Sequence, residues 1–258
     1  MPRRTPFPLV VLAAIGAAFA LLPIVALLGR APWGRLGGIL AGEGAREALR
    51  LSLIASLGAA AISLVVGVPL AWVLARARFP GRSVLRAIVV LPVVLPPVVG
   101  GIGLLAALGR RGLVGSLLAA NGIQLTFTTL GTVIAATFVS MPLVVIAAEA
   151  GFRSLDPRLE AAAASLGARP WYALRRVVLP NVAPQLAAGA VLAWARALGE
   201  FGATVTFAGN LPGRTQTLPL VVYQARQTDP AGAIAISLLL VAISVIVLVG
   251  LRDRVLAR

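Results

Sequence analysis

Apolar residues in this chain come in long, almost unbroken runs, each about as long as the roughly 20 residues that a helix needs to cross the hydrocarbon core of a bilayer. Six runs stand out: Pro8–Leu28, Leu51–Ala75, Ala87–Leu108, Thr129–Ala148, Val182–Phe207 and Ala231–Leu251. They predict an all-α integral membrane protein with about six transmembrane helices. The first run follows Arg3 and Arg4, is too long for the apolar segment of a signal peptide and has no clear small-residue cleavage site, so it reads as a retained helix. The pattern divides the chain into a first helix with its external loop (1–46), a transmembrane core (47–251) carrying a polar loop at 153–181, and a tail (252–258).

Composition strengthens this reading. The chain is 59% hydrophobic and 12% charged with a mean hydropathy of +0.98, far more apolar than one soluble domain of 258 residues can use. A net charge of +15 is in principle the footprint of a nucleic-acid binder. The placement argues otherwise, because all 23 basic residues are Arg and lie almost entirely between the apolar runs, where they act as topology signals. With the N-terminus inside, 14 arginines fall on the cytoplasmic side and 8 outside, with Arg196 left within a crossing. The bias favours both termini in the cytoplasm of a multi-pass protein. The absence of Cys and His removes disulfides, thiol nucleophiles, Cys/His zinc sites, His-ligated haem and histidine acid–base catalysis.

The loop after the fourth run reads Leu155-Asp156-Pro157-Arg158-Leu159-Glu160-Ala161-Ala162-Ala163-Ala164-Ser165-Leu166-Gly167-Ala168. Asp156 suits an N-cap, Pro157 the first helical position and Gly167 the position just past the end, which marks a helix over Pro157–Leu166. It is too short to span a bilayer. Leu159, Ala162, Ala163 and Leu166 follow the i, i+3, i+4, i+7 spacing of a narrow apolar stripe, with Arg158 and Ser165 off it. Such a helix can dock as a ridge in a groove of a soluble partner, or lie as a plain amphipathic surface helix. A second helical piece, Pro170 to about Val178, is expected to stop at Leu179-Pro180 before the fifth crossing begins.

Here the chain resembles the permease subunits of binding-protein-dependent ABC importers. The run Ala161 to Ala164, then Gly167, then Leu179-Pro180 is similar to their EAA signature, with the Gly to Leu-Pro spacing of that pattern. The signature's Glu falls at Ala161, whereas this chain has its Glu one residue earlier, at Glu160. The resemblance implies a type I ABC importer permease fold in a bacterial or archaeal cytoplasmic (inner) membrane. It further implies a coupling helix involving Leu159, Glu160, Ala161, Ala162, Leu166 and Gly167, held in a cleft of a cytoplasmic ATPase. No GxxxxGK[ST] motif occurs and the chain has no Lys, so no cofactor is expected in this chain, and ATP and Mg belong to the partner ATPase. The partners implied are a second copy of the chain, two ATPase subunits, an extracytoplasmic oxyanion-binding protein and the lipid bilayer, with no nucleic acid.

Two crossings carry unusual chemistry. In the fifth, Arg196 and Glu200 stand at i and i+4, on one helix face, and charges at this depth are rare unless they pair or line an aqueous path. Pairing fixes either the packing or a gate. Thr204, Thr206 and Asn210 beyond them offer groups without fixed charge that can pass an anion without trapping it. In the third, Leu91-Pro92-Val93-Val94-Leu95-Pro96-Pro97 then Gly100-Gly101 predicts a broken or kinked helix, with Pro96 and Pro97 either walling the pathway or kinking for packing. The run Gly199 to Thr204, with Phe207 and Gly209 to Gly213, resembles the molybdate branch of the family closely and the sulfate/thiosulfate branch nearly as well. Thr204 to Phe207 and Arg214 to Pro219 tip the resemblance to molybdate, with tungstate a close analogue. A secondary transporter would instead carry ionisable coupling residues at mid-membrane and no such loop.

Overall fold

The computed structural model describes residues 6–251. Arg3, Arg4 and the tail with Arg252, Arg254 and Arg258 lie outside the described residues, and the expected placement of the two termini lies there with them. Among the described residues the chain is helical, without strands: α1 (Phe7–Gly29), α2 (Leu36–Ala41), α3 (Glu43–Arg76), α4 (Arg82–Val94), α5 (Pro97–Leu108), α6 (Gly115–Ala120), α7 (Thr129–Ser154), α8 (Pro157–Ser165), α9 (Pro170–Ala173), α10 (Leu179–Leu198), α11 (Gly202–Phe207), α12 (Leu218–Thr228) and α13 (Pro230–Leu251). Five helical stretches are long and apolar enough to cross a membrane, and six if α4 and α5 form one broken span. The division drawn after residue 46 falls in the first turn of α3, which starts eight residues before the predicted Leu51.

α3, α7 and α10 form the centre, packed on one another along seams of small residues. Ala59, Ala136 and Ala197, one from each helix, meet where all three touch. A Cβ on Gly189 of α10 would stand 2.8 Å from the Ala147 Cβ of α7, so only glycine permits this approach. Small residues suit membrane helices because association there rests on close van der Waals contact, with no gain from leaving water. α1 touches α13 and buries none of its own residues, as a peripheral helix should.

Two predicted continuities differ. Pro170 to Leu198 is one helical stretch: α9 runs through a π turn at Leu174–Val178 directly into α10, and Leu179-Pro180 does not stop it. A proline clashes with the carbonyl four residues back and donates no N–H, and the wider i to i+5 register of the π turn relieves both problems. Conversely, the predicted crossing Val182–Phe207 is not one helix. α10 ends at Leu198 with Gly199 as its C-cap, and α11 restarts at Gly202. Glycine in a helix interior costs about 1 kcal/mol relative to alanine, so a pair of glycines at 199 and 202 marks the weakest stretch of that run.

Candidate functional site

The loop helix α8 is built as its residues dictate. The Asp156 side chain accepts the Arg158 backbone N–H at 2.9 Å, and Pro157 occupies the first turn. At the other end Gly167 has φ +78°, while the N–H groups of Gly167 and Ala168 donate to the carbonyls of Ala164 and Ala163 at 2.9 and 3.0 Å. That double bond pattern around a left-handed residue is the Schellman ending. Of the predicted stripe, only Ala163 turns inward. Leu159 and Leu166 are 41% and 88% exposed and Ala162 is exposed as well. Leu159 and Leu166, together with Ala163, Arg169, Tyr172 and Val177, border an open apolar groove of about 700 Å³. Trp171, 66% exposed, extends this surface.

Glu160 does not belong to that outward face. It pairs with Arg76 in the last turn of α3, the two side chains being 31% and 28% exposed. Close by, Glu149 of α7 is buried and held from two sides, by Arg86 of α4 through Nε at 3.1 Å and Nη2, and by Arg153 one turn on at 2.9 Å. Sequence reasoning missed Arg76, Arg86 and Glu149. The available signal was arithmetic: with only 8 acidic residues for 23 arginines, an acid just past the end of an apolar run has a partner waiting.

At the other interrupted region two helix breaks meet. Leu95 and Pro96, each preceding a proline, are forced into extended backbone (ψ 137° and 129°), and α4 and α5 therefore diverge by 120°. The chain is broken here, more sharply than a kink. The start of α5 lies against the start of α11: a Cβ on Gly202 would stand 3.0 Å from Pro97, and one on Gly101 would stand 2.7 Å from the Thr206 Cβ and 3.0 Å from the Ala203 backbone. Glu200 sits in the gap between α10 and α11, so it does not share a helix face with Arg196, yet the pair still forms, Nη1 to Oε2 at 2.6 Å. Its other oxygen accepts the Ala203 N–H at 2.8 Å and so caps α11. Glu200 is buried, while the Arg196 side chain is 35% exposed.

The predicted hydroxyls and amide are less open than the sequence implied. Thr204 is 1% exposed, turned into the core because α11 packs on α5 and α7. The Thr206 hydroxyl donates to the Gly202 carbonyl at 2.8 Å, and Asn210 donates to Gln224 of α12 at 3.3 Å. Phe201, beside Glu200, packs on Tyr223 with ring centroids 4.9 Å apart. The structure thus brings Pro97, Glu200, Arg196 and Thr206 into one neighbourhood and withdraws Thr204 from any open path in this conformation.

A helical bundle packed on small residues, two broken helices stacked at their breaks and a capped end helix with uncovered apolar surface make up a polytopic membrane protein. Residues 67–258 match the family of binding-protein-dependent transport system inner membrane components, and the chain belongs to that family. It is 46% identical over 256 residues to the molybdenum transport system permease protein ModB of Mycobacterium tuberculosis, covering 98% of this chain and 95% of that one. Against the sulfate transport system permease protein CysT of Escherichia coli K12 the identity is 35% over 236 residues, covering 90% and 85%. The fold is that of solved ABC importer membrane chains. A chain of a bacterial alginate ABC transporter, crystallised with an alginate pentasaccharide-bound periplasmic protein, superposes with a TM-score of 0.71 at 17% identity, covering 95% of this chain and 94% of that one.

Proposed function

We propose that this chain is the membrane-spanning subunit of an ATP-driven importer that carries molybdate, or its analogue tungstate, into the cytoplasm. The observation that carries the reading is the near full-length likeness to a molybdenum permease at 46% identity, well above the 35% shared with a sulfate permease. The chain does no covalent chemistry. ATP and Mg²⁺ act in a separate cytoplasmic ATPase, and an extracytoplasmic binding protein captures the oxyanion and delivers it.

In this reading α8 faces the cytoplasm, as the arginine bias of the loops supports, with both termini on the same side. Its exposed Leu159, Ala162 and Leu166 and the adjoining groove meet a cleft of the ATPase, and Gly167 permits the turn that follows. Closure of two ATPase subunits on ATP moves α8, and the helices exchange inward-open for outward-open arrangements. The stacked breaks at Pro96, Pro97 and Gly202 stand at the gate. There Glu200 neutralises Arg196, so a passing dianion meets neither an uncompensated cation that holds it nor a free carboxylate that repels it.

Two ATPase clefts need two coupling helices, and one chain supplies one, so the importer is a homodimer of this chain with two ATPase subunits. Purification of the intact complex in mild detergent, with native mass measurement, tests the assembly. One kind of membrane chain in two copies with two ATPase subunits is expected. A second, distinct membrane chain overturns the homodimer, and a complex lacking any ATPase overturns the importer.

A further inference from the structure

We propose that Glu160 acts inside its own chain, as the positioning residue through which movement of α8 reaches α3 and α7 by way of Arg76, Trp72 and Phe152. The inference rests on the importer reading given above. α8 also joins the bundle through its flanking turns and packs on the segment that follows it, α9 and the π turn. A short helix held mainly by its neighbours in sequence can swivel with little effect on the rest. The Glu160–Arg76 ion pair removes that freedom, because it links the first turn of α8 to the last turn of α3.

From Arg76 the contacts continue into the core. Its guanidinium lies 5.4 Å from the Trp72 ring centroid one turn back on α3, and its Nε is buried without a hydrogen-bond partner among the described residues. Trp72 in turn meets Phe152 of α7 edge to face, centroids 5.1 Å apart and planes at 89°. Phe152 is fully buried among Leu74, Val145, Val178 and Val182, where α3, α7 and the entry to α10 are packed together. The second ion cluster braces the same end: Arg86 ties α4 to Glu149 of α7 and also reaches the Leu74 carbonyl of α3 at 3.4 Å. Displacement of α8 therefore acts on a body already locked across α3, α4 and α7. Packed interiors shift between discrete arrangements and do not deform smoothly, which makes such a body an effective lever.

An ion pair this exposed adds little to stability in water-facing surroundings. Its contribution is geometric, and that separates the tether from ordinary structural support. The chain has no cysteine, so a nitroxide attached through Ala164→Cys on the exposed side of α8 reports the freedom of that helix directly. Glu160→Gln and Arg76→Gln are each expected to raise the mobility of this label, and the exchange Arg76→Glu with Glu160→Arg to restore it, with thermal midpoints hardly changed. In vesicles with ATPase and binding protein, oxyanion carried per ATP hydrolysed is expected to fall about tenfold in either single variant, and no further in the double Gln variant. Unchanged label mobility, or strictly additive losses, overturns the tether. So does loss of the ATPase from purified Glu160→Gln complexes, which makes Glu160 a partner contact instead. Uptake by the wild-type complex judges the importer reading separately, because label mobility does not depend on cargo.

Discussion

Glu200 holds Arg196 with one oxygen and the first turn of α11 with the other, so its removal leaves two donors without a partner, one of them buried. Glu200→Ala should therefore cost more than Arg196→Ala in both thermal midpoint and oxyanion uptake with saturating binding protein. The double variant should lose less than the sum of the singles, by about 1–2 kcal/mol of coupling. Additive losses would show that the two residues act independently. The pairing itself was legible from the i, i+4 spacing; the capping role was not, because it exists only once the helix breaks beside Gly199. Glu160 teaches the same lesson. Its neighbours in sequence, Leu159 and Ala161, are exposed residues of an outward-facing helix, and only the three-dimensional return of α3 supplies Arg76.

Among the elements, the helices named by strong local chemistry were readable. α8 follows from Asp156, Pro157 and Gly167, and the α4–α5 break follows from Pro96-Pro97, since each residue before a proline is pushed to extended backbone. The π turn before Leu179 was not readable, because a proline stops a helix or is absorbed by a register change according to what packs around it. Neither was the stacking of α5 on α11, which depends on two glycines from segments a hundred residues apart. This interface gives a paired test on one helix. A Cβ at Gly101 would stand 2.7 Å from the Thr206 Cβ, whereas nothing lies within 4 Å of one at Gly103. Gly101→Leu is expected to destabilise the purified protein by about 1–3 kcal/mol through overpacking. Gly103→Leu should leave the thermal midpoint unchanged or raise it, as replacing a helical glycine does. Equal behaviour of the two variants would contradict the packing of α5 on α11.

For the molecule as a whole, the hydropathy runs announced about six spans, and the described residues hold five helices long enough to cross a membrane plus one broken pair, around a three-helix centre. The apolar faces left uncovered are of two kinds. α1 buries none of its residues and leaves most of its length exposed, as a helix in lipid does, whereas Leu166 and Trp171 lie beside charged loops at one end and suit a protein partner. On the proposed reading, a partner would move α8, and the bundle would open or close at Pro96, Pro97 and Gly202. The most direct test is uptake of labelled molybdate into sealed vesicles holding this chain and its ATPase, with the binding protein supplied on the opposite face. Accumulation is expected to require ATP, to be competed by tungstate and to withstand a large excess of sulfate. Uptake that proceeds without ATP, or that sulfate abolishes at concentrations matching molybdate, would contradict the account.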